Sequence, residues 1–239
     1  SEGFARNVIS ASFEGTTIET STPLTTDGSL ILYTWNDAEG KKAFWHSTSH
    51  VMAQVLEEMF PGIQLTLGPA IANGFYYDVD FGDQKITEAD FKAIESRILE
   101  ISKEKHEFKM RAVTKAEALE TYKDNVYKTE LISNLEDGTI TFCDHATFTD
   151  LCRGGHIPNT SIIKAVKIMS VAGAYWRGDE KNKQLTRVYG TSFPKQKDLT
   201  EYLELLEEAK RRDHRKLGKE LELFAFSQKV GQGLQLWLP

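Results

Sequence analysis

TITFCDHATFTDLCRGGHIPNTSIIKAVKIM, residues 139–169, reads as a strand, a loop and a second strand, and what surrounds it decides the fold class. TITFCDH and IIKAVKIM are short runs rich in β-branched and aromatic residues, whereas FTDLCRGGH between them reads as loop. GAYWRGD and QLTRVYG continue the strand pattern downstream. Upstream, IQLTLGPAI and GFYYDVDF form another strand pair, joined through Gly68, Pro69, Asn73 and Gly74. Thr87 with Asp90, and Thr114 with Glu117, have the spacing of N-terminal capping boxes, so two helices start there, the first reaching about Lys105, with HEFKMRAV as a strand between them. Strands gathered in clusters and interrupted by helices favour an α+β fold, a mostly antiparallel sheet with helices packed on it, over regular βαβ alternation.

FWHSTSHVMAQVLEEMF, residues 44–60, reads as an amphipathic helix. Turned at about 100° per residue, Val51, Met52, Val55, Leu56, Met59 and Phe60 share one apolar arc. His46 and His50 fall at its border, beside Ala53 and Glu57, and are expected to face a watery edge rather than to pack. Imidazoles one turn apart can ligate one metal ion or line one side of a polar pocket, and they also occur together on solvated helix faces. About a hundred residues later CRGGH sets Cys152 and His156 four apart around two glycines, a second half-site. One thiolate and three imidazoles suit Zn²⁺ if the halves meet in space; otherwise Cys152 is a small buried hydrophobe and His156 a loop-capping donor. Cys143 and His145 share a face of a strand end and fit a structural role.

Composition limits the alternatives. The chain has 239 residues, 40% of them hydrophobic, enough for real cores. No run approaches the length of a membrane span, and SEGFARNVIS lacks the basic start and apolar stretch of a signal peptide, which makes the cytoplasm the default. Two cysteines are too few for a disulfide framework. A net charge of −6 argues against broad nucleic-acid coating, so RNA contact requires a local basic patch. The first 36 residues open with helical-looking GFARNVIS and alternate the β-like runs SASFEG, TIETS and SLILYTW with turns. From about Lys195 one long helix is expected, with an apolar stripe of Leu199, Tyr202, Leu203, Leu206 and Ala209 and a basic second half, KRRDHRK. That run is either a solvated face or a set of phosphate contacts.

HSTSH, GPAIANGFYYDVD, CRGGH, GAYWRGD and RDHRKLGKELELF together resemble the editing region of bacterial-type threonyl-tRNA synthetases, and the two half-sites are shared with alanyl-tRNA synthetase editing domains and their free-standing relatives. The resemblance covers nearly the whole chain. Residues 1–36 resemble part of the small β-grasp-like TGS domain, 37–215 the editing (second additional) domain, and 216–239 the linker and first strand leading to a class II aminoacylation domain. It implies hydrolysis of mischarged seryl-tRNA(Thr), releasing serine, by water attack on the aminoacyl ester. His46 is then the residue that polarises water, with His50, Cys152 and His156 completing the pocket, Lys128 stabilising the oxyanion or the adenosine end, and Asp150 holding the substrate ammonium. Gly68 and Tyr77 match substrate-binding positions, and Lys210, Arg211, Arg212 and Arg215 are the tRNA-binding candidates. Zinc at His46, His50, Cys152 and His156 is one option and a metal-free polar pocket the other. ATP and a further zinc belong to the aminoacylation domain, so threonine attachment is not expected of this stretch. The implied full-length partner is tRNA(Thr), with homodimerisation through other domains, a monomer for this stretch and no membrane. CRGGH departs from relatives carrying CRGPH, implying a looser loop at Gly155. The competing readings are a structural zinc-containing RNA-binding module and a catalytically silent interaction domain.

Overall fold

Every strand pairing among the described residues is antiparallel, in keeping with the α+β expectation. The computed structural model describes residue 3, residues 7–226 and residues 235–237. They divide into two compact units, residues 1–195 and 196–239.

In the first unit, β1 (Val8–Phe13) is the centre of a three-stranded sheet between β2 (Thr16–Ile18) and β3 (Leu30–Thr34). The helical-looking start is thus overturned from Val8 onward: Val8 and Ile9 are β-branched, and β1 pairs along its length with β3. The helix α1 (Ala38–Met59) follows. The main sheet orders β10 (Ala165–Tyr175), β11 (Gln184–Phe193), β6 (Gly74–Asp80) and β4 (Gln64–Leu65), with β5 (Ala70–Ile71) also on β6. Between β6 and β10 the chain forms α2 (Glu88–Lys103), β7 (Lys109–Ala112), α3 (Lys115–Thr121), α4 (Val126–Ser133), β8 (Thr141–His145) and β9 (Phe148–Leu151). The Thr87–Asp90 capping box starts α2, and Thr114 caps α3 by accepting from the Glu117 N–H.

α1 is buried nearly all round, against β6 and β11, α2 and β1. Ser47, Thr48 and Ser49 survive burial because their hydroxyls donate to the helix's own carbonyls at Ala43, Phe44 and His46. His50 is only 3% exposed, so the watery edge read from periodicity is corrected: β9 and the chain after it cover that flank. FTDL, read as loop, is the strand β9, paired with β8 through a two-residue turn at Ala146 and Thr147. That turn has no Asn-Gly or Asp-Gly signal, so only the pairing reveals the hairpin. β7, β8 and β9 make a small sheet.

In the second unit the single long helix is two, α5 (Gln196–Arg211) and α6 (His214–Glu220). Asp213 breaks them: its carbonyl accepts from the N–H groups of Lys216 and Leu217, a new first turn, which suits a residue that favours helix starts over interiors. β12 (Phe224–Phe226) pairs antiparallel with β13 (Gln235–Trp237).

The core under α1 centres on fully buried residues including Phe44, Met52, Leu56, Phe75 and Ile94. Phe75→Ala should lower unfolding free energy by about 3–5 kcal/mol in urea denaturation, the cost of an aromatic-sized cavity; a loss below about 1 kcal/mol would mean that β6 does not pack as described.

Candidate functional site

Four ligand-type atoms converge where α1 meets the chain leaving β9. His46 Nε2 lies 3.1 Å from Cys152 Sγ and 3.3 Å from His50 Nε2, and Cys152 Sγ lies 3.4 Å from His156 Nε2. All four atoms fall within 4.8 Å of one another. The two half-sites read from the sequence therefore meet. His156 is stacked between His46 and Phe108, with ring centroids 5.0 and 5.2 Å away.

What lies behind each imidazole decides which nitrogen points inward. His46 Nδ1 faces the Gly68 carbonyl at 3.4 Å, His50 Nδ1 faces Asp150 Oδ2 at 2.9 Å, and His156 Nδ1 faces Glu19 Oε1 at 3.0 Å. For His46 and His156 the facing oxygen accepts only, so Nδ1 carries the proton and Nε2 turns towards the cluster; His50 Nδ1 lies beside Asp150 without hydrogen-bond geometry, and its Nε2 also faces the cluster. Carboxylates or carbonyls behind ligating histidines are the usual outer arrangement of a metal site. Adjacent donors 3.1–3.4 Å apart also approach the edge of a zinc tetrahedron, about 3.4 Å for bonds near 2.1 Å. The four residues could thus hold a metal ion.

Burial keeps His46 and His50 below the ordinary histidine range, so both are neutral. For His156 burial acts in the same direction, but hydrogen bonding with Cys143, Cys152 and Glu19 outweighs it and raises the imidazole well above that range. Cys152 shows the converse: burial would raise the thiol, yet the surrounding imidazoles pull it well below the usual value. The opposite shifts of Cys152 and His156 share one cause, a proton held between Cys152 Sγ and His156 Nε2, 3.4 Å apart.

Asp150 organises the neighbouring wall. One oxygen is ion-paired with Lys128 on α4, and the other accepts from the Tyr77 hydroxyl at 2.7 Å. Lys128 is 1% exposed, and burial pushes its amine down to about 7. Gly68 sits against Tyr77; a Cβ there would fall 2.2 Å from the ring, so only glycine allows this approach. His46, His50, Gly68, Tyr77, Asp150 and Cys152 line a cleft of about 950 Å³, with Lys42 and Arg153 contributing positive charge. Lys128 and His156 lie behind the lining, Lys128 anchoring Asp150 and His156 backing Cys152.

Glu19, just after β2, escaped the sequence reading, because no spacing rule links it to residues about 135 positions away. Ser49 also escaped; its hydroxyl donates to the Gly68 carbonyl at 2.6 Å. Cys143 Sγ lies 3.7 Å from His156 Nδ1, which brings this cysteine close behind the cluster. Lys210, Arg211 and Arg212 are exposed in the second unit and paired with Glu207 or Glu208 on the same helix. The Arg215 side chain lies outside the described residues.

Residues 140–189 match the family described as Threonyl and Alanyl tRNA synthetase second additional domain. The matched stretch holds Cys152 and His156 of the cluster and the strands β8, β9 and β10. Over its whole length the chain is 92% identical to the Threonine--tRNA ligase of Flavobacterium johnsoniae and 88% identical to that of Flavobacterium psychrophilum. It is 57% identical to that of Cytophaga hutchinsonii. The chain is thus similar along its whole length to threonine--tRNA ligases, and it spans 37% of the length of these relatives. Among the described residues no helix is long and apolar enough to cross a membrane.

His145 supplies a pH test. Its ring is buried between Phe108 and Phe148 with neither nitrogen hydrogen-bonded, and burial lowers it from 6.5 to about 3. Between those values the unfolded chain holds a proton that the folded chain does not, so stability is lost as pH falls through that window. His145→Phe should shrink the loss of unfolding free energy between pH 6.5 and 4.5 by about 2 kcal/mol; identical pH profiles for variant and parent would refute the assignment.

Proposed function

We propose that this chain carries the proofreading hydrolase of a threonine--tRNA ligase, cleaving the ester of mischarged seryl-tRNA(Thr) to serine and tRNA(Thr). The observation that carries the reading is a neutral, partly exposed histidine, His46, whose Nδ1–H is held by Gly68 and whose Nε2 lone pair lies in a cleft beside Cys152 Sγ. Such a nitrogen can take the proton of a water attacking the ester carbonyl and return it to the leaving ribose hydroxyl. Volume supports an aminoacylated nucleoside: about 950 Å³ far exceeds a seryl group and matches the roughly 300–1,000 Å³ of sites that take whole small molecules. Lys42 and Arg153 suit the phosphate of the terminal nucleotide.

Asp150 is already engaged by Lys128 and Tyr77, so it positions the pocket and presents negative charge to the substrate ammonium without binding it alone. Tyr77 against Gly68 forms the rigid wall that would meet the extra methyl of threonine. A methyl is worth only about 1–3 kcal/mol to a synthetic site, which is why a second, excluding site is needed. Zinc is the metal that this donor set suits, and when bound it would polarise the water or the ester carbonyl. In the whole protein we place threonine attachment with ATP and a further zinc in the remaining length, tRNA(Thr) as partner, homodimerisation there too, and the cytoplasm as location.

Single-turnover hydrolysis of seryl-tRNA(Thr) tests the chemistry. His46→Ala should slow it about a hundredfold to ten-thousandfold while leaving the thermal midpoint within a few degrees. Full activity in that variant would sink the assignment of His46, whereas no hydrolysis by the unaltered chain, with one tightly held zinc whose chelation unfolds it, would establish a structural module.

RNA affinity is assigned to α5. Arg211→Ala with Arg212→Ala should weaken tRNA(Thr) binding and reduce the slope of log affinity against log salt by about one to two, leaving hydrolysis of a small seryl ester unchanged; an unaltered slope would return the run to a solvated face.

A further inference from the structure

Glu19 belongs to the N-terminal three-stranded sheet by position, yet its carboxylate is spent on the CRGGH loop. Its Oε1 accepts from the Gly155 N–H at 2.9 Å, Oε2 accepts from the His156 N–H at 3.2 Å, and Oε1 faces His156 Nδ1 at 3.0 Å. The carboxylate side chain is 12% exposed and His156 is fully buried. No motif of the sequence points to this residue, and the chemistry derived above does not use it directly.

Two features make the contact more than a surface pairing. Gly154 and Gly155 both have positive φ, 96° and 89°, which turns successive N–H groups of the loop inwards to the carboxylate. A Cβ at Gly154 would come within 3.2 Å of Glu19 Oε1, and one at Gly155 within 3.4 Å of Thr17, so the loop lies directly on the N-terminal sheet. Proline at position 155 would hold φ near −65° and carry no N–H. The contact therefore requires the glycine form of the loop, and it corrects the expectation that Gly155 makes the loop looser: here the loop is pinned.

We propose that Glu19 is a positioning residue of the hydrolytic pocket, fixing the His156 ring with its proton on Nδ1 and its Nε2 against Cys152, so that the N-terminal sheet completes the site. The proposal rests on the hydrolytic reading for its effect on rate, but the ring orientation can be measured independently. Without the Glu19 oxygen, the ring is free to exchange its tautomers and the loop to leave Cys152, while His46, His50 and the cleft wall stay in place. Glutamine can replace it in part, since a single amide oxygen can accept from both Gly155 and His156 Nδ1.

The experiment compares the unaltered chain with Glu19→Ala, Glu19→Gln and Gly155→Pro, each with ¹⁵N-labelled histidine. Long-range ¹H–¹⁵N spectra report the His156 tautomer in the metal-free chain, and single-turnover hydrolysis of seryl-tRNA(Thr) reports rate and half-saturating concentration separately. We expect Glu19→Ala and Gly155→Pro to lose the fixed Nδ1–H signal of His156 and to slow the maximal rate about tenfold to a hundredfold at unchanged half-saturation. Glu19→Gln should retain the signature and a rate within about threefold. A wild-type tautomer and rate in Glu19→Ala would overturn the proposal, as would equal loss of melting temperature in the alanine and glutamine variants with no tautomer change. Failure of the unaltered chain to hydrolyse the ester overturns the hydrolytic reading alone, and the histidine spectra still decide the role of Glu19.

Discussion

The buried carboxylate of Asp150 is the constraint around which the pocket is built. At 2% exposure a charge of this kind is tolerated only when paired and hydrogen-bonded. The partners come from three other elements: Lys128 from α4, Tyr77 from β6 and His50 from α1. Satisfying one charge on β9 thereby ties together a helix that carries two histidines, a sheet strand that forms the cleft wall and the short helix α4, which Tyr127 and Ile132 also pack in place. Removing either member of the Asp150–Lys128 pair leaves the other as an uncompensated buried charge, so architecture and site are tied to the same interaction.

A second consequence follows from the acceptors placed behind the imidazoles. Gly68, Asp150 and Glu19 place oxygens beside three Nδ1 atoms, and the three Nε2 atoms converge with a single sulfur, Cys152 Sγ. Lone pairs converging in this way repel unless a cation or a proton lies among them. The raised His156 and lowered Cys152 are the proton solution to that repulsion, and a bound metal ion would be the other. Both keep His46, the most accessible of the set, free of a proton on the side that faces the cleft.

Much of the α+β architecture was legible because strands and helix caps leave local marks. The Thr87–Asp90 box, the apolar alternation of GFYYDVDF and the β-branched run before Met169 each encode an element within a few residues. Misreadings arose where a local mark was missing or ambiguous. Ala146–Thr147 turns a hairpin without the usual glycine, so β9 looked like loop. Asp213 splits α5 from α6 although the helical pattern runs through it. GFARNVIS reads as one helical start, but its β-branched Val8 and Ile9 open β1, which pairs with β3.

The sequence by itself determined the chemistry of the site: four residues in two i, i+4 pairs, with two glycines between one pair, restrict the donors to three imidazoles and a thiol whatever the fold. Tertiary structure alone decided which atoms of those residues face each other. Tautomer, charge and depth depend on oxygens contributed by Gly68, Asp150 and Glu19, which lie 22, 100 and 137 positions from the histidines they hold. Short-range periodicity carries no information about such partners, because a hydrogen bond is set by distance in space and the chain must fold before that distance exists.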